Sequence, residues 1–180
     1  KNARIDSLLS ARQVDLDRAL AAPDRAVAAP EGARRPPLAS LKAFLEPFAG
    51  SYRPTVPVRL GISVDAVTLA GGTLQSLRGD LKLDGDDWDI ETLELRAPGF
   101  AQVRLSGRIA QSPDGISFKG PAHVEANEPR MFVAWLEGRS DAPTGPSGVL
   151  RVGGELSIGA QQFAVERLRF EFDRKIVEGR

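Results

Sequence analysis

The chain has 180 residues, 42% of them hydrophobic, and its 24 basic residues balance its 24 acidic ones. A chain of this length and composition can bury the core of one domain or slightly more, and its zero net charge argues against a nucleic-acid-binding protein, because phosphate binding needs an excess of positive charge. The absence of cysteine excludes disulfides, thiolate catalysis and cysteine-ligated zinc, and no segment reaches the roughly 18 apolar residues of a membrane helix.

The N-terminal part of the chain alternates between structured and irregular stretches. Within residues 1–21, spaced apolar residues predict a short strand over 13–17, with a helical turn as the alternative. Residues 22–37 are rich in proline and alanine and almost free of bulky apolar side chains, which is typical of a linker or mobile loop. Apolar residues then recur at helical spacing and predict a short amphipathic helix over about 39–49. From residue 38 to residue 180 we expect one β-rich domain.

A two-residue period that starts at residue 57 indicates strands. Val58, Leu60, Ile62 and Val64 alternate with polar residues or glycine, but Val67 continues in the opposite phase, which predicts a β-bulge. Further strands are predicted over about 73–84, 87–96, 101–110 and 115–126. Turns are predicted at 71–72, 84–86, 97–99 and 112–115. Because connections this short join antiparallel neighbours, the segment should form an antiparallel meander.

The C-terminal part predicts one more helix and further strands. Asn127 is a suitable N-cap, Pro129 fits the first helical turn, and Gly138 follows an apolar stripe, so a short helix is predicted between them. After a loop at 139–147, strands are predicted at about 148–158 and 162–173, with the start of another at 174–180. The predicted fold is mainly β (α+β): an antiparallel β-meander of about seven or eight strands, forming a curved sheet or groove, with two short helices.

One phrase of the sequence occurs twice. Residues 88–108 and 163–180 both begin with an aromatic residue, place apolar residues two, five and seven positions later, and end in Gly-Arg. The second copy is three residues shorter than the first. Repetition of this kind predicts stacked strand pairs with a long working surface, rather than a catalytic fold built around one pocket.

No constellation of residues supports an enzyme, a cofactor or a metal site. The run from Asp80 to Glu91 matches part of a calcium-loop pattern, but Lys82 occupies a ligand position and the flanks predict strands, so a solvated hairpin turn is favoured. His123 is the only histidine, and no Gly-x-Ser-x-Gly elbow or phosphate-binding glycine loop occurs. An enzyme would require a cleft in which His123 meets a carboxylate. We therefore expect a non-enzymatic protein without cofactor or metal.

The order of motifs along the chain resembles the C-terminal region of AsmA-like proteins. The motifs are a segment before a Pro/Ala-rich linker, an alternating strand before a Gly-Gly turn, a Leu-x-x-Leu strand, a Trp-led strand pair that closes on Gly, and a Pro-led helix that ends in Trp-Leu-x-Gly. In this chain they lie at Ala11–Asp17, Val58–Val67, Leu74–Leu77, Trp88–Gly107 and Pro129–Gly138.

This resemblance implies a bacterial envelope protein that is anchored in the inner membrane by an N-terminal helix and projects into the periplasm. AsmA-like proteins are linked to outer-membrane biogenesis and to phospholipid passage between membranes, along an elongated β-rich groove lined by apolar side chains. The family supplies no catalytic residues to transfer. The chain begins with Lys1 rather than methionine and ends at Arg180 after a strand-like segment, so we expect a fragment whose membrane anchor and export signal lie outside it.

These expectations define a hypothetical lipid-contacting surface. Each buried methylene contributes about 0.8 kcal/mol, so an apolar β-groove could hold phospholipid acyl chains without covalent chemistry. Eight residues are predicted to line it: Leu93, Leu95, Val103, Leu105, Phe118, Leu168, Phe170 and Phe172. In one alternative, the same side chains form a closed core under the two helices. In another, the chain is a scaffold that assists outer-membrane protein assembly by offering a strand edge to an envelope protein partner.

Overall fold

Nine strands form one sheet in which every strand lies beside its neighbours in the sequence. The computed structural model describes residues 4–21, 35–45, 56–84, 87–112, 115–141, 148–159, 163–173 and 175–179. The strands are β1 Ile5–Asp15, β2 Val58–Leu69, β3 Gly72–Asp84, β4 Asp87–Ala97, β5 Ala101–Ser112, β6 Gly115–Ala126, β7 Leu150–Ile158, β8 Phe163–Phe172 and β9 Lys175–Glu178. The helices are α1 Leu16–Leu20, α2 Pro37–Leu45 and α3 Pro129–Leu136. The predicted mainly β meander is confirmed, with nine strands and three short helices in place of seven or eight and two.

The predicted strands of the meander agree closely with the structure. Those expected between residues 73 and 173 are present within two residues of their predicted bounds, and the C-terminal tail supplies β9. All neighbouring pairs from β2 to β9 are antiparallel. Short connections account for this arrangement in every pair except β6–β7, where α3 lies between the strands. The loop between β2 and β3 consists of Ala70 and Gly71, with φ angles of 53° and 70°, so the turn lies one residue before the predicted pair at 71–72.

The N-terminal strand is longer than predicted and lies parallel to β2. It spans Ile5–Asp15 instead of 13–17. Because β1 is an edge strand, Leu8 can project from it 74% exposed, so the apolar residues of this strand do not alternate in the way that would reveal it. The predicted strand end is helical: the Asp15 carboxylate accepts a hydrogen bond from the Arg18 N–H at 2.8 Å and caps α1.

Asp17 connects this N-terminal unit to the β2–β3 hairpin. Its two carboxylate oxygens accept hydrogen bonds from the backbone N–H groups of Ala70 and Gly71, each with a donor–acceptor distance of 2.7 Å. Hydrogen bonds to an ionised acceptor are stronger than bonds between neutral groups. A single carboxylate therefore links α1 to a turn that is more than fifty residues away in the chain.

The phase slip in β2 is real, but it is not a bulge between β2 and β3. Val64 and Val67 are each 4% exposed and pair with Leu77 and Leu74 in an unbroken register. The register is preserved because β3 slips at the same point, where Ser76 has a φ of 53°. The register shift occurs one ladder further on, between β3 and β4. The predicted bulge is thus correct for the change of phase and wrong for the pair of strands.

Both predicted helices are present, with different starts. α2 begins at Pro37 rather than at 39, because proline suits the first turn of a helix, and the predicted residues 46–49 lie outside the described part of the chain. The N-cap of α3 is Glu128 rather than Asn127, and its side chain makes no capping hydrogen bond; Pro129 lacks an N–H, so the first turn has one donor fewer to satisfy. The predictions for 22–34, 85–86, 113–114, 142–147 and 160–162 also fall outside the described ranges.

The sheet has one apolar face and one charged face, because residues that pair across neighbouring strands share a face. One apolar row crosses six strands through Leu95, Val103, Val124, Val152, Phe170 and Val177. On the opposite face, ion pairs join neighbouring strands: Asp65–Arg78, Lys82–Glu91, Asp89–Arg108, Glu94–Arg104, Glu125–Arg151, Arg151–Glu171 and Glu155–Arg167. Exposed pairs of this kind contribute about 0–1 kcal/mol each, so the apolar face dominates the stability of the fold.

The buried core occupies one end of the apolar face. Ala97, Ala101 and Ala126 pair in a row, are at most 3% exposed, and belong to the same buried cluster as Phe132 of α3. Small side chains in this row let the helix approach the sheet closely. On the same helix, the Trp135 Nε1–H donates a hydrogen bond to the carbonyl oxygen of residue 69 at 3.1 Å. No helix in the described ranges is long and apolar enough to cross a membrane.

Candidate functional site

The repeated phrase places four apolar residues of β4 on one face of the sheet. Trp88, Ile90, Leu93 and Leu95 stand at the first position of the phrase and two, five and seven positions later. The three-residue step from Ile90 to Leu93 coincides with a register shift of β4 against β5. An extra residue in one strand restores the phase, so Leu93 and Leu95 return to the face that carries Trp88.

The second copy of the phrase repeats this arrangement in β8. A three-residue step separates Val165 from Leu168, and Arg167 between them has a φ of 52°. The register of β7 against β8 shifts at the same place. The side chains from Phe163 to Phe170 that belong to the phrase therefore also lie on the apolar face. The two copies form the antiparallel pairs β4–β5 and β8–β9, as the repetition predicts.

All eight predicted lipid-contacting residues lie on the apolar face. Leu93 pairs with Leu105, and Leu95 pairs with Val103, so these four form one group across β4 and β5. The other four lie on β6 and β8: Phe118, Leu168, Phe170 and Phe172. The sheet brings the eight onto one surface, although β6 and β7 separate the group on β5 from the residues on β8.

The helices cover only some of these side chains. Leu95, Val103 and Phe172 pack against the buried cluster at the helix-covered end, as the closed-core alternative predicts. The other five lie outside that cluster, and Phe170 is 36% exposed. The most exposed apolar side chain of β8 is Phe163, at 63%. The apolar face is therefore closed at the helix-covered end, half-buried over its middle and most exposed on β8.

A second buried group lies on β2, β3 and β4, outside the helix-covered cluster. Val58, Leu83 and Ile90 are 9%, 2% and 7% exposed. Eight half-buried or exposed apolar side chains on β4 to β8, outside both groups, are here called the apolar strip. It consists of Leu93, Leu105, Ile109, Phe118, Leu156, Val165, Leu168 and Phe170.

Three members of the apolar strip were not predicted from the sequence. Ile109 pairs with the predicted residue Phe118, whereas Leu156 and Val165 pair with each other. The alternation of apolar and polar residues assigns each of them to one face of its strand. The alternation does not show which residues pair across strands, and this pairing determines which side chains become neighbours. The repeat supplies a usable signal for Val165, which occupies the position equivalent to that of Ile90.

A concavity of about 670 Å³ lies on the charged face over β5 to β8, and His123 lines it. The ring of His123 lies over Gly153, where a β-carbon would come within 2.7 Å of Nδ1. Glu125 and Glu171, which also line the concavity, both form ion pairs with Arg151 at 3.2 Å. The hydrogen bond with Glu125 and the negative charge of both glutamates raise the pKa of the Arg151 guanidinium.

The enzyme alternative requires a cleft in which His123 meets a carboxylate. Within the described residues, His123 makes no hydrogen bond or ion pair with a carboxylate. Asp80 and Glu91, at the two ends of the calcium-loop pattern, lie on paired antiparallel strands, and Glu91 forms an ion pair with Lys82. In the part of the chain that the structure describes, no three His, Asp or Glu side chains converge as metal ligands.

The chain matches no protein-family model, no curated protein and no solved structure. The apolar strip remains the surface feature with the clearest chemical character, because it joins large aliphatic and aromatic side chains that are only partly covered. Contiguous apolar surface of this kind on a folded protein marks a site for an apolar ligand, a membrane or a protein partner.

Proposed function

We propose that this chain is a non-enzymatic module of an AsmA-like bacterial envelope protein that binds phospholipid acyl chains along the apolar strip. In the whole protein the module would be held in the periplasm by an inner-membrane anchor and would serve outer-membrane assembly and lipid homeostasis. The order of sequence motifs supports the family and the location. The apolar strip supports the ligand class.

The observation that carries the proposal is the incomplete cover of the apolar face. The strip crosses five neighbouring strands, and its side chains lie outside the helix-covered cluster. A strand spacing of about 4.8 Å makes the strip roughly 20 Å wide across β4 to β8, which is comparable with the length of an extended acyl chain. Each methylene that leaves water for this surface contributes about 0.8 kcal/mol, so an acyl chain could bind firmly without covalent chemistry.

The charged face favours one orientation of the sheet. Its ion pairs join exposed side chains on neighbouring strands, and this face suits contact with water. The apolar strip would then hold lipid on the other side of the same sheet. Because the two faces alternate along every strand, one residue can be changed on either face with little effect on the strand itself.

The proposal is tested by lipid extraction and mass spectrometry on the chain purified from a bacterial envelope fraction without detergent. We expect co-purified phospholipid in amounts comparable with the protein. Phe170→Asp places a charge in the apolar strip and should remove most of that lipid, because an ionised carboxylate does not enter an apolar contact without a partner. Arg169→Asp is the matched control, since it introduces the same side chain in the same strand on the charged face.

The pair of variants separates lipid binding from folding. Circular dichroism and thermal unfolding would establish that both variants retain the sheet. Lipid-free wild-type protein that is well folded would contradict the proposal for this module. Equal lipid loss in both folded variants would show that the bound lipid does not occupy the apolar strip.

A second candidate function is a scaffold that binds an envelope protein partner through a strand edge. The observation in its favour is β1, an edge strand whose apolar residues Leu8 and Leu9 are 74% and 56% exposed. In this case Leu8→Pro, which removes one backbone donor from the edge, should abolish partner binding and leave lipid content unchanged. Phe170→Asp should have the opposite effects.

A further inference from the structure

The open edge of β1 is the longest unpaired strand edge in the described sheet. β1 has eleven residues and pairs only with β2, whereas β9 at the other edge has four. Ile5, Leu8 and Leu9 are 45%, 74% and 56% exposed, so the strand is well exposed to solvent. A long exposed edge with apolar side chains is a template for pairing with another strand.

The direction of the backbone groups along β1 defines which residues such a strand would meet. The Ile5 N–H donates to the carbonyl oxygen of residue 57 at 3.0 Å, so Ile5 directs its N–H toward β2. In a parallel ladder the alternate residues direct their N–H and C=O groups the other way. Asp6, Leu8 and Ser10 therefore present their backbone groups at the open edge.

The side chains of β1 are complementary to a second copy of the same strand in one antiparallel register. If Leu9 lies opposite Leu9 of the second copy, Asp6 lies opposite Arg12 of the second copy, and Leu8 lies opposite its Ser10. Even-numbered residues then lie opposite even-numbered ones, so the outward backbone groups of the two copies hydrogen-bond to each other. Side chains on one face of the sheet also lie beside side chains of the same face in the second copy. A shift of two residues in one direction would place Arg4 opposite Arg12, where like charges repel. A shift in the other direction would place Arg12 opposite Leu8 and Asp6 opposite Val14, so neither charge would meet its opposite.

The charged side chains of β1 are exposed and can reach a second copy of the strand. Asp6 binds Arg4 of its own strand at 2.9 Å, and both side chains are more than half exposed. Arg12 makes no ion pair or side-chain hydrogen bond within the described residues. Two Asp6–Arg12 pairs, related by the twofold axis, would place each Arg12 guanidinium beside a carboxylate of the other copy.

We propose that two copies of this chain associate through antiparallel pairing of β1, with Leu9 on the twofold axis and Asp6 opposite Arg12. The two nine-stranded sheets then form one continuous sheet, and their apolar faces lie on the same side. A second copy fits better than an unrelated strand because a single register satisfies the charges, the backbone groups and the two faces together. This association does not depend on lipid binding, since β1 lies outside the apolar strip.

The absence of cysteine allows a direct test of the register. Residues on the axis form a non-hydrogen-bonded pair with Cα atoms about 4.5 Å apart, which lies within the range that a disulfide spans. Leu9→Cys should therefore form a covalent dimer under mild oxidation. Ser7→Cys alone should not, because Ser7 lies opposite Ala11 of the second copy. A mixture of Ser7→Cys with Ala11→Cys should again crosslink.

A charge reversal tests the same register without covalent chemistry. Sedimentation equilibrium should give a monomer–dimer equilibrium for the wild type, and Arg12→Asp should weaken it about tenfold, because two attractive pairs become repulsive. The double variant with Asp6→Arg and Arg12→Asp should restore it. Lipid content should be the same in all these variants, so failure here is distinguishable from failure of the lipid proposal.

Three results would overturn the inference. One is a wild-type chain that remains monomeric from micromolar to millimolar concentration. Another is crosslinking of Ser7→Cys alone with an efficiency equal to that of Leu9→Cys, which would indicate random collision. The third is a dimer that Arg12→Asp leaves unchanged, which would place the contact elsewhere on the molecule.

Discussion

Replacing Asp17 with alanine should loosen the N-terminal strand from the sheet. The Asp17 carboxylate accepts two hydrogen bonds of 2.7 Å from the turn between β2 and β3. A hydrogen bond to a charged group contributes about 1.5–3 kcal/mol net, and a buried N–H left without a partner costs about 1–3 kcal/mol. Ala70 is 7% exposed and would retain an unsatisfied N–H, whereas the N–H of Gly71 is exposed and can bind water.

The expected loss of unfolding free energy for Asp17→Ala is about 2–3 kcal/mol, which corresponds to a decrease in Tm of about 4–12 °C for a domain of this size. Urea unfolding would measure the free energy. Hydrogen exchange would measure the local effect, with faster exchange expected for the backbone N–H of Ala70 and for β1. Asp17→Asn keeps one acceptor oxygen and should lose about half as much stability.

The matched control for Asp17 is Asp15, a carboxylate two residues earlier. Asp15 caps α1 through the Arg18 N–H but makes no hydrogen bond to the β2–β3 turn. Asp15→Ala should cost about 1 kcal/mol, as loss of an N-cap usually does, and should leave exchange at Ala70 unchanged. A change below about 0.5 kcal/mol for Asp17→Ala, with unaltered exchange in β1, would refute the reasoning.

Two further predictions concern a close packing contact and an ion pair. In Gly72→Ala the new β-carbon would lie 2.5 Å from the Trp135 Nε1, so the indole ring must move. In a Trp88→Phe background, where Trp135 is the remaining tryptophan, the fluorescence emission should therefore shift to longer wavelength. An unshifted emission spectrum would contradict this prediction. The pKa of the Glu91 carboxyl lies below its ordinary value, mainly because Glu91 forms a hydrogen bond with Lys82. The folded state thus favours the ionised form of Glu91. The stabilisation from the Glu91–Lys82 ion pair is therefore present at a pH above the ordinary pKa of glutamate, and it is lost as the pH falls through the lowered pKa of the folded state. NMR titration should show that Lys82→Met raises the pKa of Glu91; an unchanged value would contradict the ion-pair explanation.

The meander could be predicted from the sequence because its strands carry their signals locally. Strand pairs with short turns leave few choices of topology, and alternation of apolar residues fixes which face is buried. β1 could not be predicted in the same way. Its adjacent residues Leu8 and Leu9 break the alternation of apolar and polar residues, and Leu8 is exposed. This parallel edge strand is held by backbone pairing with β2, which lies more than forty residues away in the chain.

The apolar strip was predictable as a face but not as an open surface. The three-residue steps at Ile90–Leu93 and Val165–Leu168 identify the bulges that keep each strand in phase. Whether a given side chain is covered depends on where a helix docks. The buried cluster that contains Phe132 of α3 has Leu95 and Val103 packed against it, but not Leu93. The position of α3 depends on the small alanines of three separate strands, and these alanines do not recur at a regular interval in the sequence.

The order of the strands also has a consequence for how the chain folds. From β2 to β9 each strand pairs with the next one along the chain, so hairpins can form early and the sheet can grow by addition at either side. β1 is the exception, because its partner β2 begins at Val58. Although β1 is synthesised before β2 to β9, we expect it to join this sheet last. During synthesis β2 would then expose a free edge until β1 docks and Asp17 reaches the turn.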